Sequence, residues 1–501
     1  MYVRRLYSPC RGRLQPITFR NNSIRVGNRL LDKLMLMPAH ILKTFALAAL
    51  LVAVLPGLAD ASIDPFDTES SLPPPPGFTQ NGESDFQPCR PASTGMSLSL
   101  AAVVDAALCA NPQTREVWAS ARVQAAQVGV AKSAYLPSIS ANAASGRVRS
   151  NGINLDQREL GASVSLLLFD FGGRAAALES AQALQAAANA TQDATIQSVF
   201  LAAVQNYYQV LATQAALDAA KESEKAFLES FKAADARYKA GVATSADKLQ
   251  AQTAWSQGLL NRIKAEGDVK NAQGALANVI GRDANRTVLI EVANQTNPPD
   301  RFEQNVDSLV EQARQRRPDL KAAEAQVRAA AANVDVVKAT GRPTLSLGIN
   351  TSDQHTQGLA EAKTSSIGVT LNIPLFSGFN THYKIRAAQA QAEIQAAQTE
   401  QLRLQVALDV WNTYQSLITA TQTVRATVDL LSSAEQSQRV ASGRYKAGVG
   451  SILDVLNAQS ALASARQQRV QSLYSWNVAR TALARSMGTL ERNTLQEGSA
   501  P

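Results

Sequence analysis

The hexapeptide Arg-Tyr-Lys-Ala-Gly-Val occurs twice in this 501-residue chain, at Arg237 to Val242 and at Arg444 to Val449. The same offset pairs Asp247 with Asp454, Leu249 with Leu456, Gln252 with Gln459, Phe169 with Phe376, Tyr207 with Tyr414 and Gly281 with Gly488. Pro112 and Pro318, then Pro137 and Pro343, agree with it to within one residue. Solenoid repeats recur every ~20–50 residues, whereas a period this long is that of a whole domain. The chain therefore reads as one duplicated unit, with a first repeat over 98–290, a second over 291–490 and a tail over 491–501.

A formal charge of +8 first suggests nucleic acid or an anionic surface. Most of the excess lies within residues 1–61, where Arg4, Arg5, Arg11, Arg13, Arg20, Arg25, Arg29, Lys33 and Lys43 face only Asp32 and Asp60. The remainder is nearly neutral, so nucleic acid is not expected as a partner. The apolar run Ile41 to Leu55 follows basic residues and precedes Ala59-Asp60-Ala61, which reads as a secretory signal peptide. Its distance from Met1 points to translation starting at Met35 or Met37, and it is shorter than the ~20 residues of a membrane anchor. Residues 62–97, with Pro73 to Pro76 and many Ser and Gly, read as a flexible lead-in without a core. Once Cys10 is removed with the presequence, Cys89 and Cys109 remain in an oxidising compartment and are expected to pair.

Glycine and proline are absent between Arg174 and Ala240 and again between Phe379 and Ser442. Each stretch predicts one long helix, roughly 100 Å at 1.5 Å per residue. In the second copy Val410, Leu417, Val424 and Leu431 recur at heptad spacing, with Tyr414 and Val428 between them, as in a coiled-coil seam. A following helix is expected over Ser245 to Ile280 and Ile452 to Met487, and a preceding one over Leu98 to Ser133 and Val306 to Ala339.

Between the preceding and the long helix the period changes to two. Leu160, Ala162, Val164, Leu166 and Leu168 alternate with small polar residues, as do Ile367, Val369, Leu371 and Ile373, which predicts strands. Partner strands are expected at Ser138 to Val148 and Thr344 to Asn350, joined through polar loops Ser150 to Arg158 and Thr351 to Lys363. Four such strands match the length that crosses a bilayer but cannot close, and open edges in hydrocarbon are costly. The barrel would have to be shared among chains.

These features together resemble the TolC family of outer-membrane efflux and secretion channels. The resemblance rests on both repeats, on the junctions Leu168-Phe169-Asp170-Phe171-Gly172-Gly173 and Leu375-Phe376-Ser377-Gly378, and on the two Tyr-Lys-Ala-Gly-Val turns. Leu108-Cys109-Ala110-Asn111-Pro112-Gln113-Thr114-Arg115 is similar to the CyaE-type subgroup that exports adenylate cyclase toxin. The resemblance implies a mainly α fold with a small β part: a homotrimer whose twelve-stranded outer-membrane barrel continues as a coiled-coil tunnel in the periplasm. Its implied partners are a periplasmic adaptor, an inner-membrane ABC transporter or proton-driven pump, outer-membrane lipid, and an exported protein or small molecule.

The hexapeptide turns would form the periplasmic tip, with Gly241 and Gly448 as helix stops. Thr244 with Asp247, and Ser451 with Asp454, have capping-box spacing, so each aspartate reads first as a helix start. The resemblance adds that Asp454 would form an acidic ring at the tunnel entrance, and that Tyr445 and Asp247 would share a hydrogen bond holding it shut. Asn457 stands where the family's best-known member has a second acid, and Gly450 where that member has an arginine. No cofactor or catalysis is expected, because His40, His355 and His382 are scattered and no phosphate loop or nucleophile constellation is present. The readings are a type I secretion duct, a multidrug efflux duct, or a secreted trimeric coiled-coil scaffold or adhesin.

Overall fold

A computed structural model describes residues 64–73, 97–150, 152–286, 288–291 and 305–490. The presequence and Cys89 lie outside the described residues. Two copies of one element series follow each other. The first comprises α1 (Leu100–Ala110), α2 (Pro112–Ser133), β1 (Ser138–Ser150), β2 (Ile153–Phe169), α3 (Gly173–Lys239) and α4 (Ser245–Val279). The second comprises α5 (Val306–Arg316), α6 (Pro318–Ala339), β3 (Thr344–Thr356), β4 (Ala362–Asn372), α7 (Asn380–Lys446) and α8 (Ile452–Ser486).

The long helices α3 and α7 are 67 residues each, and α3 packs against α1, α2, α4, α6 and α8. Its central stretch, with Val199, Phe200, Val204, Tyr207 and Leu211, forms the largest core with Val103, Val104, Leu276 and Tyr474. Within it the Tyr207 hydroxyl donates to the Glu291 carbonyl at 2.7 Å, and burial pushes its pKa up to about 12. The α7 seam holds at Val410, Leu417 and Val424, which are buried against α8. It then turns: Val428 is 46% exposed, and Thr427 and Ala434 take the buried positions. Thr427 reaches Ser472 of α8, Oγ to Oγ, at 2.9 Å, a hydrogen bond that a valine, which has no hydroxyl, could not make there.

Three expectations are corrected. Each preceding helix is two helices, broken at Asn111 and Arg317 (ψ 129° and 123°), because the following proline lacks an N–H and bars its predecessor from the helical region. The polar stretches Ser150 to Arg158 and Thr351 to Lys363 are largely strand, since Arg147 pairs with Asp156 and Thr351 with Ser365 across neighbouring strands; polarity there marks water, not a loop. The lead-in is ordered over its first part. Thr68 is buried, Glu69 pairs with Arg122 at 2.9 Å, the Phe66 carbonyl accepts from Lys132 at 3.1 Å, and Gln185 donates to Ser71 at 2.6 Å.

The breaks are seated on glycine. Gly281 and Gly488 follow α4 and α8 with φ of 70° and 71°. A Cβ on Gly281 would lie 2.5 Å from the Ala110 carbonyl oxygen, and one on Gly488 2.9 Å from the Arg317 nitrogen. The two copies cap the break differently. Asn111 accepts from Gln113 N at 2.9 Å and donates to the Val279 carbonyl at 3.1 Å. Arg317 instead binds both oxygens of Asp319 and, at 3.0 Å, Asp409 of α7.

The sheet has the order β1-β2-β3-β4, antiparallel throughout. On one face Ile139, Val164, Ile349 and Ile367 stand in a cross-strand row, followed by Leu166, Leu347 and Val369. A register shift between Leu167 and Phe169 brings Phe169, and not Leu168, opposite Leu345, whose other partner is Leu371. The opposite face has Ser140, Ser163, Asn350 and Ser366, then Asn142, Gly161, Ser352 and Thr364. Among the described residues no helix is long and apolar enough to cross a membrane; the apolar belt is on the strands. At the strand-to-helix corners Phe171 and Phe379 have φ of 53° and 63°. Their rings lie edge-on to Phe169 and Phe376 at 4.7 and 5.5 Å, and each such backbone costs about 1 kcal/mol or more.

Gly281→Ala and Gly488→Ala are expected to destabilise the chain by about 2 kcal/mol or more, from the left-handed backbone and the steric overlap together. Gly267→Ala, where a Cβ meets open space inside α4, is expected to stabilise by up to about 1 kcal/mol; denaturant midpoints of the three variants check the contrast. Burial alone would raise the Asp319 carboxyl, but the paired Arg317 guanidinium holds it below the usual carboxylate range. A depressed pKa gives stability present above the unfolded value near ~4 and lost as pH falls through the folded one. Asp319→Asn should therefore flatten the fall in melting temperature below about pH 4.

Candidate functional site: the tip of the helical hairpins

Both hexapeptides end a long helix in the same way. Gly241 N donates to the Tyr238 carbonyl and Val242 N to the Arg237 carbonyl, each at 3.0 Å; Gly448 N and Val449 N repeat this on Tyr445 and Arg444 at 3.1 and 3.0 Å. This crossed pair is the Schellman motif, with glycine at φ 73° and 79° in the left-handed position. The next helices start in full capping boxes. Asp247 accepts from Thr244 N at 3.0 Å and its own N–H donates to Thr244 Oγ1 at 3.2 Å; Asp454 and Ser451 do the same at 3.2 and 3.1 Å. Ile452, Val455 and Leu456 then pack on Phe227, Ala234 and Ala251 beneath the turns.

The two turns meet through Arg237, which the sequence reading did not single out. Its guanidinium donates to the Tyr445 carbonyl at 2.9 Å and lies 4.2 Å from the centre of the Tyr445 ring. A residue of the first hexapeptide thus holds the second, and its presence in both copies was the available signal. Tyr238 is treated otherwise: Lys248 lies over its ring at 5.4 Å and pairs with Asp235 at 2.8 Å. Lys239 pairs with the same carboxylate at 2.7 Å, and these two hydrogen-bonded ammonium groups lower its pKa.

The expected Tyr445–Asp247 hydrogen bond is not formed among the described residues. Asp247 is engaged by Thr244, whose Oγ1 also donates to it at 2.8 Å, and the Tyr445 ring is held by Arg237. Asp454 and Asn457 are both exposed, one turn apart on α8, so they share a face. A Cβ on Gly450 would lie 3.1 Å from the Arg444 Cβ and from Tyr445 N, which leaves little room for a larger residue in this turn. Cys109, at the end of α1, is disulfide-bonded. Among the described residues no group of three His, Cys, Asp or Glu that could hold a metal gathers at one point.

The duplicated hairpins, the apolar belt and the tip define the class. The outer membrane efflux protein family model matches residues 103–282 and 309–489, and the chain belongs to this family of outer-membrane channels. It is 32% identical over 464 residues to Protein CyaE of Bordetella pertussis, covering 90% of this chain and 97% of that one. Outer membrane efflux protein BepC of Brucella suis is 27% identical over 75% of this chain and 82% of its own. The crystal structure of the Campylobacter jejuni CmeC outer membrane channel superposes with a TM-score of 0.71 at 17% identity, covering 84% of this chain and 97% of that one.

Removing Arg237 should loosen the second turn selectively. Arg237→Ala is expected to speed amide exchange at Val449 and Gly448 about tenfold, with Arg237→Lys intermediate because it keeps the charge without the planar fork. Hydrogen exchange of the purified protein, with α1 amides as internal reference, makes the measurement.

Proposed function

We propose that three copies of this chain form the exit duct of a type I secretion system, passing an exported protein from an inner-membrane ABC transporter and a periplasmic adaptor to the exterior. The observation that carries the reading is the agreement with Protein CyaE over 90% of the chain at 32% identity. The free edges of β1 and β4 support the shared barrel, as three four-stranded sheets close into twelve strands. The flank of α7 supports it too, since Leu404, Leu408 and Trp411 are exposed in the single chain and a neighbouring copy would cover them. The duct is passive, and energy comes from the transporter.

A multidrug efflux duct is the second reading, favoured by the 27% identity over 62% of the chain to the probable efflux pump outer membrane protein TtgC of Pseudomonas putida. The family assignment leaves no place for a secreted scaffold or adhesin. At the tip, three Asp454 carboxylates ring the entrance and draw cations, as focusing in a narrow pore directs. Their capping bonds hold them in place at the start of α8. Tyr445, clamped by Arg237, holds the closed arrangement in place of a bond to Asp247, and Gly241 and Gly448 set the turns that carry it.

Deletion of the gene is expected to remove a large protein from the culture supernatant and leave drug susceptibility within about twofold; the converse result supports the efflux reading. In planar bilayers Asp454→Ala should lower cation preference, and Arg237→Ala, which releases the Tyr445 carbonyl and ring, should raise resting conductance. Unchanged single-channel records for both would remove the tip from the gate.

A further inference from the structure

The strands run past the apolar belt, and what they carry there is sorted by face. From Leu371 to Lys363, β4 climbs about 27 Å along its axis, or roughly 20 Å along the membrane normal at a 40° tilt. With the Phe169 and Phe376 rings at its base, this fills the ~25 Å band that outer-membrane barrels present to lipid. The row at its upper edge on the same face is Ala143, Leu160, Asp353 and Lys363, and beyond it come Ser145, Arg158 and His355, then Arg147 and Asp156, then Arg149 and Asn154. Along β2 this is the more exposed side: Asn154, Asp156, Arg158 and Leu160 are exposed, whereas Leu155, Gln157, Glu159 and Gly161 are half-buried.

The charges do not spread over both faces. Among the described strand residues of the opposite face, Glu159 is the one charge, and the rest are mainly Ser, Thr, Gly, Asn, Gln and Ala. Solvation alone would charge both sides of a wall standing in water. Arg147 is neutralised by Asp156 at 2.6 Å and Lys363 by Asp353 at 3.6 Å. Arg149 and Arg158 make no ion pair or hydrogen bond among the described residues. Arg158 stands two residues from Asp156 on one face, so two guanidiniums, Arg147 and Arg158, share one carboxylate and keep a positive remainder. Guanidinium forks match phosphate oxygens in pairs.

We propose that Arg147, Arg149 and Arg158, directly above the apolar belt, form a binding site for the phosphate groups of lipid A in the outer leaflet. The acyl chains lie along the Ile139, Val164, Ile349 and Ile367 row, and the phosphates meet the arginines above it. This inference rests on the outer-membrane location and is independent of what passes through the duct.

The test titrates the purified full chain in non-ionic detergent with hexa-acylated, bisphosphorylated lipid A and counts bound lipid by native mass spectrometry. Arg149→Ala/Arg158→Ala is expected to weaken binding about thirtyfold, from the contribution of each basic residue at an anionic surface. The double lysine variant should stay within about threefold of the wild-type chain. Lipid A stripped of both phosphates should bind the wild-type chain as weakly as bisphosphorylated lipid A binds the double alanine variant. A loss below about fivefold, equal binding of the dephosphorylated lipid, or full displacement by equimolar inorganic phosphate would overturn the proposal. Conductance of the same preparation separates the two readings, because a non-conducting wild-type chain counts against the channel and a conducting one without phosphate preference counts against the lipid site alone.

Discussion

A backbone N–H or C=O left unpaired in hydrocarbon costs several kcal/mol, and β1 and β4 each carry a full row of them. The sheet satisfies its interior through continuous pairing from Ser138 to Asn372 and leaves this demand at its two edges. A single chain cannot meet it, since four strands are too few to close. In the proposed trimer the completed ring meets this demand, and a neighbouring copy covers the exposed flank of α7. The demand also explains why the corners are built so firmly. Arg174 binds Asp170 at 3.3 Å and the Leu167 carbonyl at 2.7 Å, which fixes how β2 enters α3, and Arg342 donates across the repeat to the Phe171 carbonyl at 2.9 Å.

Duplication supplies the framework, and the places where the copies diverge supply the specificity. At the broken short helices, a neutral asparagine in one copy is an arginine with two carboxylates in the other. Breaking that second cluster by removing one partner would cost more than its net contribution, because the remaining charge would be left half-buried. At the tip, one tyrosine is held by a lysine of its own copy and the other by an arginine of the opposite copy. Of the two arrangements, the second joins one half of the chain to the turn of the other.

Much of this was legible in the sequence because long-range self-similarity and periodicity survive without tertiary context. The glycine- and proline-free stretches match α3 to within a residue at each end and α7 at its start, although α7 runs on through Gly443 to Lys446; the capping boxes at Thr244 and Ser451 formed as their spacing required. What escaped were contacts between distant parts. Arg317 with Asp409 and Arg237 with Tyr445 have no local signature, since each joins residues from separate helices. The length of the strands also escaped, because beyond the apolar belt alternation passes from apolar against polar to charged against small polar, which hydropathy does not separate. The expected Tyr445–Asp247 bond came from resemblance; in the structure Asp247 caps its own helix at Thr244 and the Tyr445 ring lies against Arg237.

The corresponding helices of the two copies have equal lengths: 11 and 11, 22 and 22, 67 and 67, 35 and 35 residues. Among the strands β1 and β3 match at 13 residues, but β2 has 17 against 11 in β4. One residue inserted into a long helix would lift its turn by about 1.5 Å and rotate it by about 100° relative to the other. The halves thus act as paired rulers: drift in residue identity is tolerated wherever packing allows, but a change of count in one half must be answered in the other. Lineages of such a protein should vary in length at the outer ends of the strands and hold it constant below them.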